Sequence, residues 1–533
     1  MVFAGMELTF RELQALSYRF ASALADMGVR KGDRVAINLP NCPQFAIAYY
    51  GALRLGAVFT PLSPLLSPRE VRYQLNDSGA ETLISLDLLF PGIRSVIPET
   101  GTERIITTSL ADCFSPVLAP LKPIGKIDVP ETIDMVPLLA RYQPFTEEIA
   151  IDVSNDLAHL AYTGGTTGTS KGVMLTHANV VTNVLQYLHW SNGSRTELID
   201  GVMTSVYPPE IDPADRNTVQ DSETALVVVP WFHAMGTIGY LNMLITGGTT
   251  MIVFPRFEPK EYMEAISKHG ATILGGAPQL YIPLINLPDF HSYDLSRIKT
   301  AASGAAPLPL AVMEKLLDAF SGGYVTEAYG LSECTMGATS NPHGRGNARI
   351  GSVGLPVFDT EVKVVDLETG EEVPPGKEGE VLIKGPQVMK GYHNKPEATA
   401  EVLKDGWLHS GDIGKMDEDG FLYITDRLKD MIIYKGYNVY PREVEEVLFQ
   451  HPAVEQCTVV GKPDTDAGEV PVAFVKLVGG AEASDEELRE YTNSRVAAYK
   501  KIRDVIFVAE IPTSGAGKVL KRELREQLAK SPG

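Results

Sequence analysis

The segment Tyr162-Thr163-Gly164-Gly165-Thr166-Thr167-Gly168-Thr169-Ser170-Lys171-Gly172 concentrates four glycines, five serine and threonine hydroxyls and one lysine behind an apolar run at 157–161. Glycine lets backbone N–H groups converge on an anion with no Cβ in the way. The hydroxyls add neutral donors and Lys171 a mobile positive charge, a combination suited to a polyphosphate. The segment departs from the common GxxxxGK[ST] loop, because Ser170 precedes the lysine and Gly172 follows it. Three further stretches carry groups that could serve the rest of a nucleotide. Ser303-Gly304-Ala305-Ala306 ends a strand-like run with residues small enough for a flat base to lie against the backbone. Tyr329-Gly330-Leu331-Ser332-Glu333 supplies a ring, a hydroxyl and a carboxylate. Gly406-Trp407-Leu408-His409-Ser410-Gly411-Asp412 ends in an acceptor-only carboxylate that suits a vicinal diol. Near the C-terminus, Gly515 and Gly517 give Lys518 a supple loop that can deliver its charge into a distant pocket. Taken singly, each stretch also reads as an ordinary turn or a solvated side chain.

In these motifs and their order, the chain resembles the adenylate-forming superfamily of acyl-CoA synthetases, luciferases and peptide-synthetase adenylation domains, including the coumarate–CoA ligase branch. The resemblance runs from residue 9 to residue 528 and extends to Asp426-Arg427-Leu428-Lys429-Asp430 and to Trp231-Phe232-His233-Ala234-Met235-Gly236. It implies an acid–thiol ligase that uses ATP, Mg²⁺ and coenzyme A with a small-molecule carboxylic acid, and passes through an acyl-adenylate. It implies that Thr163, Gly164, Gly165, Thr166, Thr167, Gly168, Lys171 and Ser332 meet the phosphates. Gly304, Ala305, Ala306, Tyr329 and Gly330 would hold adenine, and Asp412 and Arg427 the ribose. Glu333 would bind the metal and Lys518 would be the catalytic lysine, with Thr166 and Glu333 beside it. Lys429 occupies the hinge position, and Lys435, Gly436 and Tyr437 the coenzyme A side. His233, Gly236, Gly276 and Gly337 would border the acyl pocket, His233 by stacking or hydrogen bonding, since a carboxylate nucleophile needs no base. Two departures stand out: Lys435 replaces the first of two glycines frequent in the family, and residues 201–223 form an irregular, acidic insertion expected at the surface.

A chain of 533 residues exceeds a single core, so several domains are expected. Strand-like runs at 35–39, 57–61 and 81–85 alternate with helical patterns at 43–55 and from Ser67-Pro68-Arg69-Glu70 onward. Alternation of this kind implies parallel sheets with ligands at the carboxyl ends of the strands. The expected class is α/β, and the resemblance implies a large domain, 1–428, of α/β subdomains with a β-barrel-like part, and a small mobile α+β domain, 429–533. Residues 97–145 are Pro-rich and read as irregular. A net charge of −20 excludes nucleic acid as a partner and leaves an anionic substrate to a local positive site. The four cysteines have no CxxC spacing, so neither a disulfide frame nor zinc is expected. With no basic-apolar leader and no apolar run near the ~20 residues of a membrane span, the expectation is a cytoplasmic protein, with a homodimer as the candidate assembly. Apolar, glycine-rich pocket segments without a partner for an ammonium point to medium- or long-chain fatty acids. An aryl-acid (coumarate-like) ligase, an enzyme loading a carrier protein and a non-catalytic nucleotide sensor stay open.

Overall fold

The computed structural model describes residues 1–112, 125–163, 170–211, 216–343, 347–514 and 518–530. Local signals set the first elements. Thr9 and Glu12 exchange hydrogen bonds of 3.2 and 2.8 Å as a capping box for helix Phe10–Asp26. Ser67 and Glu70 do the same for Pro68–Ser78, whose first residue is a proline and whose end is Gly79 at φ +64°.

Strands Arg34–Asn38, Val58–Pro61 and Thr82–Leu86 pair in parallel inside an eight-stranded sheet, which continues through Leu157–Tyr162 and Gly172–Thr176 to Gly391–Tyr392. A nine-stranded sheet is parallel at its centre, where Tyr324–Tyr329, Thr300–Ser303, Ile273–Gly276 and Thr224–Val227 lie side by side. One core joins the two sheets. Val35, Ile37 and Phe59 come from the first, Val227 and Met251 from the second, and Phe20, Phe45 and Tyr49 from helices Phe10–Asp26 and Pro43–Arg54. A third, antiparallel half-barrel sheet carries Gly379–Lys384, Trp407–Met416 and Leu422–Arg427, with register shifts at 380/382 and 413/414. From Ile432 onward, strands Ile432–Tyr434, Tyr437–Val439, Val454–Asp464, Gly468–Leu477 and Asp504–Phe507 build a separate five-stranded sheet with its own core around Val444, Leu448 and Leu488.

Three expectations need correction. Residues 97–145 are not wholly irregular: Arg104–Thr108 and Ile133–Asp134 extend the eight-stranded sheet and Met135–Arg141 is helical. These elements are too short to show a period. The insertion is not uniformly irregular either. Arg195–Ile199 and Val202–Val206 form a hairpin around Asp200 and Gly201, both at positive φ (51° and 80°), the backbone of a type I′ turn. Nor is it all surface, since Thr218 and Glu223 are buried. Among the described residues, no helix is long and apolar enough to cross a membrane.

Candidate active site

The predicted groups converge where the strands of the two large sheets end. Strand Thr300–Ser303 delivers Gly304 and Ala305, and its neighbour Tyr324–Tyr329 delivers Tyr329 and Gly330. A Cβ on Gly330 would stand 2.1 Å from the Met336 carbonyl, and one on Gly337 would stand 1.9 Å from the Tyr187 hydroxyl. Only glycine admits that approach. Ala305 takes the left-handed region at φ +65°, a strained turn that re-aims the chain across the strand ends.

Tyr329, Asp412 and Arg427 form one cluster. The Tyr329 hydroxyl donates to Asp412 Oδ2 at 2.7 Å, and Arg427 Nε lies 3.2 Å from Oδ1. Asp412 and Arg427 face each other as register partners on the half-barrel strands, and Asp412 is 3% exposed. Glu333 sits in the short 3₁₀ turn Ser332–Cys334, and its Oε1 accepts from the Tyr392 hydroxyl at 2.8 Å. The ammonium of Lys171 stands 4.7 Å from the centre of the same Tyr392 ring. Tyr392 thus links the lysine of the glycine-threonine segment to the carboxylate of a motif more than a hundred residues away. It belongs to no motif recognised in the sequence. The base of that segment closes where Thr163 N–H donates to the Lys171 carbonyl at 3.0 Å. Gly164, Gly165, Thr166, Thr167 and Gly168 lie outside the described residues.

Lys518 reaches this centre from the C-terminal part. Its backbone is tied to Ser514 by hydrogen bonds of 2.7 and 3.2 Å, and it lines the same cavity as Gly304, Ala305, Tyr329, Gly330, Ser332 and His233. Burial lowers its pKa to about 8, helped by Arg427 and opposed by Asp412 and Glu333. His233 is lowered to about 3, first by burial and then by the Lys518 charge, so its imidazole is neutral. The His233 turn is braced by Trp231, whose backbone N–H donates to Asn41 Oδ1 (2.8 Å) and whose indole N–H donates to the Tyr240 carbonyl (3.1 Å). It opens a π-helix, Met235–Asn242, a rare form found mostly at functional sites.

The cavity lies between helix His177–Asn192 and the strands Thr300–Ser303 and Tyr324–Tyr329. His233 and Gly337 line it, but Gly236 and Gly276 do not. A Cβ on Gly236 would meet the Pro230 carbonyl at 1.9 Å and one on Gly276 would meet Leu280 at 2.5 Å, so these glycines serve close packing behind the wall. Ala306 likewise faces elsewhere, lining a second cavity with Arg442, Glu445 and Phe449. Lys429 lies in the 3₁₀ turn Leu428–Asp430 that precedes the last sheet. Lys435 (φ +50°) and Gly436 (φ +83°) form the exposed turn of the following hairpin, where Tyr437 stacks on Tyr499 at 5.0 Å, away from the cavity. Among the described residues no group of three or more His, Cys, Asp and Glu could cage a metal alone. One carboxylate, Glu333, fits Mg²⁺, which commonly takes one or two carboxylates with phosphate oxygens and water.

The AMP-binding enzyme family matches residues 1–393, and the AMP-binding enzyme C-terminal domain matches residues 443–518. A long-chain-fatty-acid–CoA ligase of Bacillus subtilis (strain 168) is 41% identical over 98% of this chain and 91% of its own. One from Salmonella typhimurium (strain LT2) is 36% identical over 98% and 90%. Among solved structures, an anthranilate CoA ligase in complex with anthranoyl-AMP superposes with a TM-score of 0.86 at 27% identity, over 99% of this chain and 93% of that one.

Proposed function

The chain belongs to the AMP-binding enzyme family, and on that footing we propose that it is an ATP-dependent carboxylic acid–CoA ligase acting on medium- or long-chain fatty acids. The reaction has two halves. A substrate carboxylate attacks the α-phosphorus of ATP, pyrophosphate leaves, and an acyl-adenylate remains. The thiol of coenzyme A then attacks the acyl carbonyl, giving the thioester and AMP. The observation that carries the reading is the convergence of Lys518 with Tyr329, Gly304 and His233 in one cavity.

Each residue has a physical task. Asp412 and Arg427 receive the ribose, while Tyr329, Gly304 and Ala305 hold the base. Lys171 and the segment it closes meet the phosphates. Glu333, oriented by Tyr392, would hold Mg²⁺, which supplies positive charge to the phosphate oxygens when bound. Lys518 stands between two anions that repel each other, the incoming carboxylate and the α-phosphate. Its preorganised charge lowers the barrier by positioning and electrostatics, with no covalent step on the protein. Neutral His233 borders the reacting carboxylate without adding a competing charge.

The second half needs Lys518 withdrawn and room for a thiol. We assign the pivot to Lys429, so that the part beyond it, 429–533, turns as a unit against 1–428 and brings the Lys435-Gly436-Tyr437 turn to the cavity. Lys429→Pro should leave pyrophosphate exchange within a few-fold of wild type and cut conversion of supplied acyl-adenylate plus coenzyme A by at least tenfold. Equal loss in both assays would refute the pivot. A pH profile adds a second check. The cationic form of Lys518 does the work and is populated below its pKa of about 8. In the free enzyme kcat/KM for adenylation should therefore fall as pH rises through 8, and a flat profile to pH 9.5 would contradict the role.

Pyrophosphate exchange across saturated acids of increasing length, with aryl acids as controls, tests the substrate class. Exchange restricted to aryl acids would replace the fatty-acid reading with the aryl one.

A further inference from the structure

One wall of the cavity follows two adjacent strands along a single face. Consecutive residues line it at the strand ends, and behind them only alternate ones do: Ala302 and Thr300 on one strand, Ala328 and Thr326 on the next. The cavity therefore runs from the carboxyl ends of the strands, where the chemistry lies, toward their amino ends. That far end is polar. Glu223 precedes the first residue of its strand and is 3% exposed. Its Oε1 accepts from Val219 N–H at 2.8 Å and pairs with Lys299 at 2.6 Å. Its Oε2 is buried with no partner among the described residues. His343 lines the same cavity, and its buried Nε2 is also without a partner among the described residues.

The two orphan atoms are complementary. Burial raises the Tyr324 phenol well above its ordinary value and lowers His343 to about 4, so both are neutral. Asn217 Nδ2, which can only donate, lies 3.5 Å from His343 Nδ1, so Nδ1 is assigned as the acceptor, the touching Tyr324 hydroxyl as a donor to it, and the ring proton to Nε2. The far end thus offers one donor, His343 Nε2–H, and one acceptor, Glu223 Oε2. A hydroxyl can answer either one, donating to the carboxylate or accepting from the imidazole. An alkyl end satisfies neither and leaves two buried polar atoms unpaired.

Building on the fatty-acid ligase reading, we propose that Glu223 and His343 form a subsite that reads the far end of the acid and selects a chain of about 12 carbons carrying a terminal hydroxyl. The length follows from the strands. Five residue steps lead from Lys299 to Gly304, and at about 3.3 Å each they span about 16 Å. An extended carbon chain advances about 1.3 Å per bond, so about 12 carbons bring a terminal oxygen to Glu223. The subsite also gives a task to the end of the insertion, because Val219 holds Glu223 in place.

The test compares kcat/KM for dodecanoic and 12-hydroxydodecanoic acid in pyrophosphate exchange, in the wild-type protein and in Glu223→Gln and His343→Phe. The first substitution keeps an oxygen to accept from Val219 N–H but places an amide nitrogen where the free acceptor was. The wild type should favour the hydroxy acid about 10- to 100-fold, and each variant should bring the ratio to near one. Two variants keep the test open if one fails to fold, which a melting curve reports. A wild-type ratio of one or below, with water filling the far end, overturns the inference alone. A wild-type preference that neither folded variant reduces overturns it as well. Absence of exchange with every acid would sink the ligase reading and this subsite with it.

Discussion

Replacing Lys518 with alanine should cut adenylate formation by about 10²–10³-fold in kcat, while supplied acyl-adenylate and coenzyme A are still converted at close to the wild-type rate. The asymmetry follows from where the lysine stands. It lines the cavity, half-buried, beside Gly304 and Tyr329, with Glu333, Asp412 and Arg427 as its charged neighbours. Two anions must meet there in the first half-reaction. In the second, a thiol attacks an acyl carbonyl and the phosphate only departs, so the same charge is not required. Stability should change little, or rise, because burying the ammonium opposes its charged form. Pyrophosphate exchange measures the first half, and thioester formation from synthetic adenylate measures the second. Full exchange activity in Lys518→Ala, or equal loss in the two assays, would remove the lysine from the role assigned to it.

Asp412→Ala should produce the other large effect, a fall of at least about 10²-fold in kcat/KM for ATP, carried mainly by KM. The carboxylate is nearly fully buried and holds two groups at once, the Tyr329 hydroxyl and Arg427 Nε. Removal leaves a phenol and a guanidinium without their acceptor and deprives the ribose of its own. Because the Arg427 side chain is a third exposed, water recovers part of the loss, and the expected destabilisation is about 1–3 kcal/mol. Asp412→Asn separates the two contributions. The amide keeps an acceptor for Tyr329 but turns a donor toward Arg427, so stability should recover more than ATP affinity. A KM for ATP unchanged in both variants, measured alongside their melting temperatures, would show that the cluster is structural and that the ribose lies elsewhere.

Much of this protein was legible before any fold was drawn, and the reason is locality. The capping boxes at Thr9 and Ser67 are settled within four residues, so residue type and spacing suffice to start both helices. The glycine at 330 answers to backbone clearance at a strand end, which residue type alone reports. Alternating strand and helix patterns sufficed for parallel sheets, because buried strands and amphipathic helices carry different periods. Family motifs in sequence order placed Lys518 with the nucleotide cluster, although nothing local in a basic C-terminal run does so.

What chain order could not decide was which distant groups share a surface. Tyr392 was overlooked because its task depends on Gly391–Tyr392 pairing with Gly172–Thr176, an edge-strand contact between segments far apart. Ala306 differs from Ala305 only in facing the second cavity, a matter of one left-handed residue. Glu223 read as one more acid in a polar insertion, since its burial depends on Lys299 arriving from two strands away in the sheet. The chain by itself determined which chemistry could be carried, because donors, charges and glycines are properties of residues. Strand order and register alone decided which of those residues meet and how deep the cavity between them runs, because a contact across a sheet is a property of the fold.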